Sequence, residues 1–251
     1  MPELFSVAAG DGIISLFKNQ SGAWAACRTA TSGAGNSTAT RAANGPATQN
    51  VSARGSEVAL IARTFFAFDT SGITVTPSAA TLKIYGFFRG TADVIAVRSA
   101  HSSTLTGGDF DLLHNALTPL AASDGSGAGT LAGVGGLTYS AQISTWSTSG
   151  YNDIVLNATA RADMVSLDTF KVAVIDHDRD YLDVCAVGSS FIGAGMYFAE
   201  DGGSGTSRDP KIDYTAGVAG YGNAVMGVAS GNIAAVNGVA TANIEKVIGV
   251  D

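Results

Sequence analysis

Charge is scarce in this chain of 251 residues: Asp, Glu, Lys and Arg make up only 14 %. Four Glu and five Lys leave it short of the residues that favour long helices, so a helical bundle is excluded. The five Lys (18, 83, 171, 211 and 246) are scattered, no run of Lys or Arg occurs, and the net charge is −7. Nucleic acid is not an expected partner, because binding it takes a basic patch. Only two cysteines are present, Cys27 and Cys185, in no CxxC pair. With three scattered His they do not make a zinc ligand set. They are read as two buried or free thiols, pairing in space being the alternative.

Long apolar runs are also missing. Residues Tyr214 to Ile244 carry no charge, but they are rich in Gly and Asn and their apolar members are mostly Ala and Val. That hydropathy is too weak for a bilayer helix, so no membrane partner is expected. The N-terminal MPELFSVAAGDG has neither a basic region nor a long apolar one, and is not read as an export signal. Catalytic signatures are equally sparse. HExxH, GxSxG and a Walker loop do not occur, and GSGAG (125–129) neither follows a strong strand nor opens a helix. The 17 Asp form many pairs with none marked, and His101, His114 and His177 have no identifiable nucleophile partner. No enzyme is expected.

What the chain does have is 32 Gly and abundant Ala, Ser and Thr, which suit short strands and tight turns. IISLF (13–17) reads as a strand, followed by a second around Trp24; residues 31–57 read as a long loop or irregular strands. VALIARTFFAFD (58–69) is a buried strand, and ATLKIYGFF (80–88) alternates. With ADVIAVRSA (92–100) it predicts a hairpin across RGT. FDLLHNAL (110–117) predicts one helical turn, and ATARADMVSL (158–167) a short helix. GLTYSAQISTW and YNDIVLNATA predict a strand pair; FKVAVIDHD (170–178), GAGMYFAED (193–201) and DPKIDYT (209–215) are further strands. Strands recurring every ten to fifteen residues between turns predict an all-β fold, an antiparallel jelly-roll-like β-sandwich over residues 1–215.

Two local groups carry candidate chemistry. VIDHDRDYLDV (174–184) places Asp176, Asp178 and Asp180 on alternate positions, a pattern that can chelate Ca²⁺; no other cofactor is expected. Tyr181 and Val187 stand where an EF-hand loop needs Gly and Glu, and Arg179 can neutralise the acids; the alternative is a solvated loop. Trp24, Trp146 and Tyr151 lie in or beside Gly/Ser-rich segments, where exposed rings can stack on sugars with Asn152 and Asp153 supplying hydrogen bonds. The alternative is that each ring plugs an end of the sandwich or packs under a loop.

The motifs RTFFAFDTSGI (63–73), ATLKIYG (80–86), TGGDFD (106–111), YNDIVLNATA (151–160), FKVAVIDHD (170–178) and GMYFAEDGGSGTSRDPKIDYT (195–215) stand in an order that resembles the DNRLRE-type, carbohydrate-binding-module-like β-sandwiches found in structural proteins of tailed phages. Ala199 departs from the small polar residue of that pattern. The resemblance spans about 200 residues. It implies a sandwich, and a non-enzymatic virion protein: a capsid decoration protein, head fibre or tail appendage, assembled in the host cytoplasm. A glycan-binding module for host attachment is the alternative function.

Residues 216–251 form a tail that writes GVASGNIAAVN and GVATANIEKVI in succession, a repeat similar to those ending phage virion proteins. Its large apolar residues, Val228, Ile233, Val236, Val239, Ile244, Val247 and Val250, are spaced 5, 3, 3, 5, 3, 3. A strand needs a period of two. NIAAV and NIEKV therefore predict single helical turns capped by Ser230 and Thr241 and stopped at Asn237-Gly238 and Ile248-Gly249, with extended links between. Such a unit cannot bury its apolar face alone. The tail is disordered, or it is an assembly interface with another copy of the chain in a homo-oligomer such as a trimer, or with a capsid or other virion protein.

Overall fold

A computed structural model describes residues 2–36, 39–53, 55–113, 126, 130–131, 137–199, 207–217, 235–236 and 239–240. The strands are β1 (Glu3–Phe5), β2 (Gly12–Asn19), β3 (Ala34–Asn36), β4 (Arg41–Ala42), β5 (Ala47–Ala53), β6 (Ser56–Asp69), β7 (Ala79–Gly90), β8 (Val94–Arg98), β9 (Tyr151–Val155), β10 (Thr169–Asp176), β11 (Ser189–Tyr197) and β12 (Lys211–Thr215). Among the described residues, two α-helices, α1 (Ala23–Arg28) and α2 (Ala158–Ser166), sit between them. The strands pair antiparallel in one curled sheet of order β1-β12-β7-β11-β5-β6-β10-β8, with β2 added beside β6, β3 beside β2, β4 beside β11 and β9 beside β7. The fold is all-β and sandwich-like, as the strand spacing predicts.

The long strand β6 explains the curl. One edge pairs with β2 over Val58–Phe65; the other pairs first with β5 and then, from Thr64 onward, with β10. In the same way β11 pairs with β5 through Gly193 and with β7 from Ala194. Strands that change partner along their length carry the sheet round on itself.

Two cores result. Phe66, Phe68, Leu82, Ile84, Val172, Val174, Met196 and Ile212 fill the space between the two halves of the sheet. On the far side of β6, β8 and β10, the alternate residues Ile61, Phe65, Ile95, Val97, Ala173 and Ile175 pack with Trp24, Cys27, Phe110 and Cys185. A strand buried on both faces has no reason to alternate, which is why 58–69 reads as a continuous apolar run. β7 is covered on one face only, and it alternates.

Several sequence expectations are corrected. The segment around Trp24 is α1, not a strand. Its first amides, those of Ala23 and Trp24, donate to the Glu57 carboxylate at 3.0 Å each. This tertiary cap satisfies donors that a six-residue helix cannot satisfy itself. β7 and β8 do not form a hairpin; β8 pairs with β10, and β7 with β9, β11 and β12. Residues 137–146 do not pair with β9, but touch β8 through Thr138–Val97 and Ile143–Val94 bridges. In 110–117 the described part, Phe110 to Leu113, has no helix; a 3-10 turn at Gly107–Asp109 precedes it. Among the described residues of 31–57, β3, β4 and β5 are formed before β6 begins at Ser56, in keeping with the alternative of irregular strands. The helix expected at 158–167 is present as α2, capped by the Asn157 side chain, which accepts the Ala160 amide at 3.0 Å.

In the tail, Ala235–Val236 (β13) pairs antiparallel with Val239–Ala240 (β14). These residues are extended, where the three-residue spacing predicts a helical turn through Val236. Two Val-bearing segments joined through Asn-Gly are a strong hairpin signal, and one isolated helical turn costs more to nucleate than it returns. Val228, Ile233, Ile244 and Val247 lie outside the described residues.

Candidate functional site: an aromatic and cationic outer face

Pleating decides which side chains β7 shows to solvent. Leu82 and Ile84 point into the core, and Lys83, Tyr85, Phe87 and Arg89 point the other way. β9 adds Tyr151 and Asp153 to the same face, in register with Tyr85 and Lys83. β12 adds Lys211, opposite Lys83.

The rings form a row. Tyr151 and Tyr85 meet edge to face at 5.3 Å between centroids, Tyr85 and Tyr197 at 5.6 Å and Tyr197 and Phe87 at 5.4 Å, while Phe87 and Phe88 are tilted to one another at 6.1 Å. Cations lie over them: Lys211 over Tyr151 at 5.5 Å, Arg208 over Tyr197 at 4.4 Å, Arg41 over Phe87 at 4.5 Å and Arg89 over Phe88 at 5.3 Å. Arg41 and Arg208 also donate to the Tyr197 hydroxyl, at 3.3 and 3.0 Å. Lys83 pairs with Asp153 at 2.7 Å, and Lys211 with Glu3 at 2.5 Å, which raises the lysine's pKa.

Phe88 departs from the pleat. Its φ is 60°, and the β7–β11 register shifts around it. A non-glycine residue held in the left-handed region at a bulge stores strain, and a bulge re-aims the side chain. Phe88 is 66 % exposed, an unusual display for a phenyl ring.

At the Tyr151 end the face opens into a cleft of about 630 Å³ lined by Gln142 to Ser147 and Tyr151 to Asp153. A smaller one, about 150 Å³, lies among Thr81, Lys83, Asp153 and Asp213. Asp153 borders both. The 146–147 segment can lie against β7 because Gly86 has no side chain: a Cβ there would come within 1.7 Å of the Ser147 carbonyl oxygen.

The three rings named from sequence have different fates. Trp24 is only 1 % exposed, and its indole N–H donates to Asp183 at 2.9 Å, so it is a core residue and offers no sugar platform. Trp146 is 8 % exposed and donates to the Gly195 carbonyl at 2.9 Å. It lines the larger cleft but chiefly plugs the space between the two halves of the sheet. Tyr151 stands on the outer face, its hydroxyl donating to the Asp209 carbonyl at 3.0 Å. Asn152 is buried and spent on the backbone of Ser147 and Ile84, whereas Asp153 is exposed. Sequence reasoning missed Tyr85, Phe87, Phe88, Arg41, Arg89, Arg208 and Lys211. The available signal was the outward phase of KIYGFFR, where an alternating strand carries rings on the side that should be plain polar.

The acids of 176–180 are separated by their surroundings. Asp176 is buried and accepts from the Thr48 hydroxyl at 2.7 Å and the Arg179 amide at 3.0 Å; burial pushes its pKa up to about 6. Asp178 faces solvent beside His177 and Gln142. Asp180 is buried between Arg63 and Arg28. The Ca²⁺ reading required these three to converge. Among the described residues, no group of three or more His, Cys, Asp or Glu side chains is placed to hold a metal ion. Arg179, read as the neutralising cation, donates its guanidinium to the Ser190 carbonyl, and its charge still favours the ionised form of Asp176. Cys27 and Cys185 are both free and buried, their thiols pushed up to about 12 and about 11 by burial.

No family model matches the chain, and no curated protein matches it.

Proposed function

We propose that the protein is a non-enzymatic structural component of a phage virion, displayed on the particle surface with its jelly-roll-like sandwich outward and residues 216–251 making assembly contacts. The observation that carries this reading is how the molecule divides its polar chemistry. The Arg28–Arg63–Asp180 cluster is sealed inside as a structural tie. The surface instead offers a broad row of rings and cations, which suits contact better than turnover. Multivalent display makes weak contacts effective, since many copies share one lattice. The order of the sandwich motifs and the apolar repeat support the same reading. Mass spectrometry of purified virions, with copy number, tests it; absence of the chain from particles overturns it. For the tail, deletion of residues 219–251 is expected to leave a folded sandwich that no longer assembles. An unchanged oligomer in size-exclusion with light scattering, still binding the particle, refutes that role.

A second reading, a glycan-binding module for host attachment, is favoured by Tyr151, Tyr85, Phe87 and Phe88 standing together on one face beside two clefts. A glycan array with no hits removes it.

A further inference from the structure

Toward its N-terminal end β6 leaves the main core. Residues paired across strands point to the same side, and here the pairs are Phe17–Leu60 from β2 to β6 and Val58–Val51 from β6 to β5. It is the side that buries Phe66 and Phe68 further along β6. Among the described residues, however, Phe17, Leu60, Val58 and Val51 pack into neither core, and Phe17 is 57 % exposed. An apolar face of this kind marks a contact with another molecule. Beside it a groove of about 240 Å³ is lined by Ile13, Ala42, Leu60, Ala62 and Phe191 among others, with no charged side chain on its described walls. The Arg89 guanidinium lies over Phe191 at 4.8 Å, and its Nε is buried without a hydrogen-bond partner. Among the described residues, no carboxylate pairs with Arg89.

We propose that this face seats the β13–β14 hairpin of a second copy of the chain, with Val236 and Val239 against Phe17, Leu60 and Phe191, and with Glu245 paired to Arg89. The proposal rests on the reading of residues 216–251 as an assembly segment and names its seat. Val236 and Val239 are partners in register, so both side chains stand on one side of the hairpin. Two residues in each strand cannot bury them, and so small a ribbon needs a surface to lie on. Charge is matched as well as apolar area. From Tyr214 to Ile244 the chain carries no charge, which suits an uncharged groove, and Glu245 is the first carboxylate after Asp213. Reach favours a neighbouring copy over the molecule's own tail. The described sandwich ends at Gly217, which lies against the Thr76 carbonyl beyond the Thr215–Ala79 pair. Arg89 stands ten residues along β7 from Ala79, a distance of about 33 Å. The eighteen residues from Gly217 to Ala235 span about 23 Å as a flexible chain. Docking onto the same molecule stretches that link and lowers the effective concentration of the hairpin at the face. Two copies that exchange hairpins avoid the stretch and close a symmetric dimer.

Sedimentation equilibrium of the full chain tests this, and the wild type is expected to be a dimer. Phe17→Lys and Val236→Lys each put a charge at the centre of the apolar contact. Each is expected to weaken association about a hundredfold, with the circular dichroism of the fold unchanged. Val236 lies outside the sandwich, so its variant reports the contact even if Phe17→Lys disturbs folding. Mixing the two variants is expected to restore a heterodimer, because one keeps its hairpin and the other its face. Arg89→Glu is expected to weaken the dimer about tenfold, and adding Glu245→Arg in the same chain to recover it. A dimer lost on deletion of residues 219–251 but indifferent to Phe17→Lys and Arg89→Glu overturns this seat and leaves the assembly reading standing. A wild-type monomer also overturns it, whether its tail lies on its own face or on another virion protein. A dimer that survives the deletion, in protein that binds particles equally well without its tail, sinks the seat and the assembly reading together.

Discussion

Asp180 takes both prongs of the Arg63 guanidinium, Nε at 2.7 Å and Nη2 at 2.9 Å, in a core that seals both side chains from water. Arg63 is a β6 residue whose remaining N–H groups reach the Phe110 carbonyl at 2.8 Å, while Arg28 from α1 donates to the Asp180 carbonyl. Three separate segments are thereby tied at one carboxylate. Burial opposes the charge on Asp180, but the Arg63 guanidinium outweighs it and holds the carboxyl below the usual range.

Removing that carboxylate leaves two buried guanidiniums facing each other. Asp180→Asn is expected to cost about 3–5 kcal/mol, the range for breaking a buried pair from one side. Urea titration followed by fluorescence measures it. Asp180 has a lowered folded-state pKa, so its stabilisation is present above the unfolded value of 3.8 and is lost as pH falls through the folded value. Wild-type stability is therefore expected to drop steeply below about pH 4, and the variant to lack that part of the drop.

Asp176 works in the opposite sense. Its pKa rises from 3.8 to about 6, because burial penalises the charged form more than Thr48 and Arg179 relieve it. Stability from its protonated form is complete below pH 3.8 and is lost as pH rises to about 6. Asp176→Asn keeps an acceptor for the Arg179 amide and never ionises. It is expected to be more stable than the wild type at pH 7 by on the order of 2–3 kcal/mol, with no such gain at pH 4. Denaturation at the two pH values decides it; an equal effect at both excludes the ionisation account.

Trp24→Ala empties a sealed site and strips Asp183 of its indole donor. A loss of about 3–5 kcal/mol is expected, as for other buried Trp truncations. Its thermal midpoint should fall well below that of Tyr151→Ala, whose ring is only half-buried on the outer face. Any lost ligand binding in Trp24→Ala then reports unfolding, whereas in Tyr151→Ala it reports the face.

Much of the scaffold was legible because its cause is local. The apolar run 58–69 and the alternation of 80–88 follow from how many faces of each strand are covered, and α2 follows from its Asn157 cap. The order of pairing was not legible: neighbouring runs such as 80–88 and 92–100 invite a hairpin, and only the closing of the sheet assigns them to different partners. α1 was hidden for the same reason, since its N-terminal amides are satisfied by Glu57, more than thirty residues away.

The candidate site divides likewise. By itself the sequence determined that Tyr85 and Phe87 share a face with Lys83 and Arg89, because strand side chains alternate with a period of two. It also determined that Lys and Arg form no run anywhere along the chain. Only the tertiary structure decided that Tyr151, Tyr197, Arg41, Arg208 and Lys211 join that face, since they arrive on β9, β11, β4 and β12 or beside them through long-range pairing. It likewise decided that Trp24 and Asp180 go inside. Burial of an indole or a carboxylate depends on whether a partner waits there, and Asp183, Arg28 and Arg63 are brought to them only when the sheet curls.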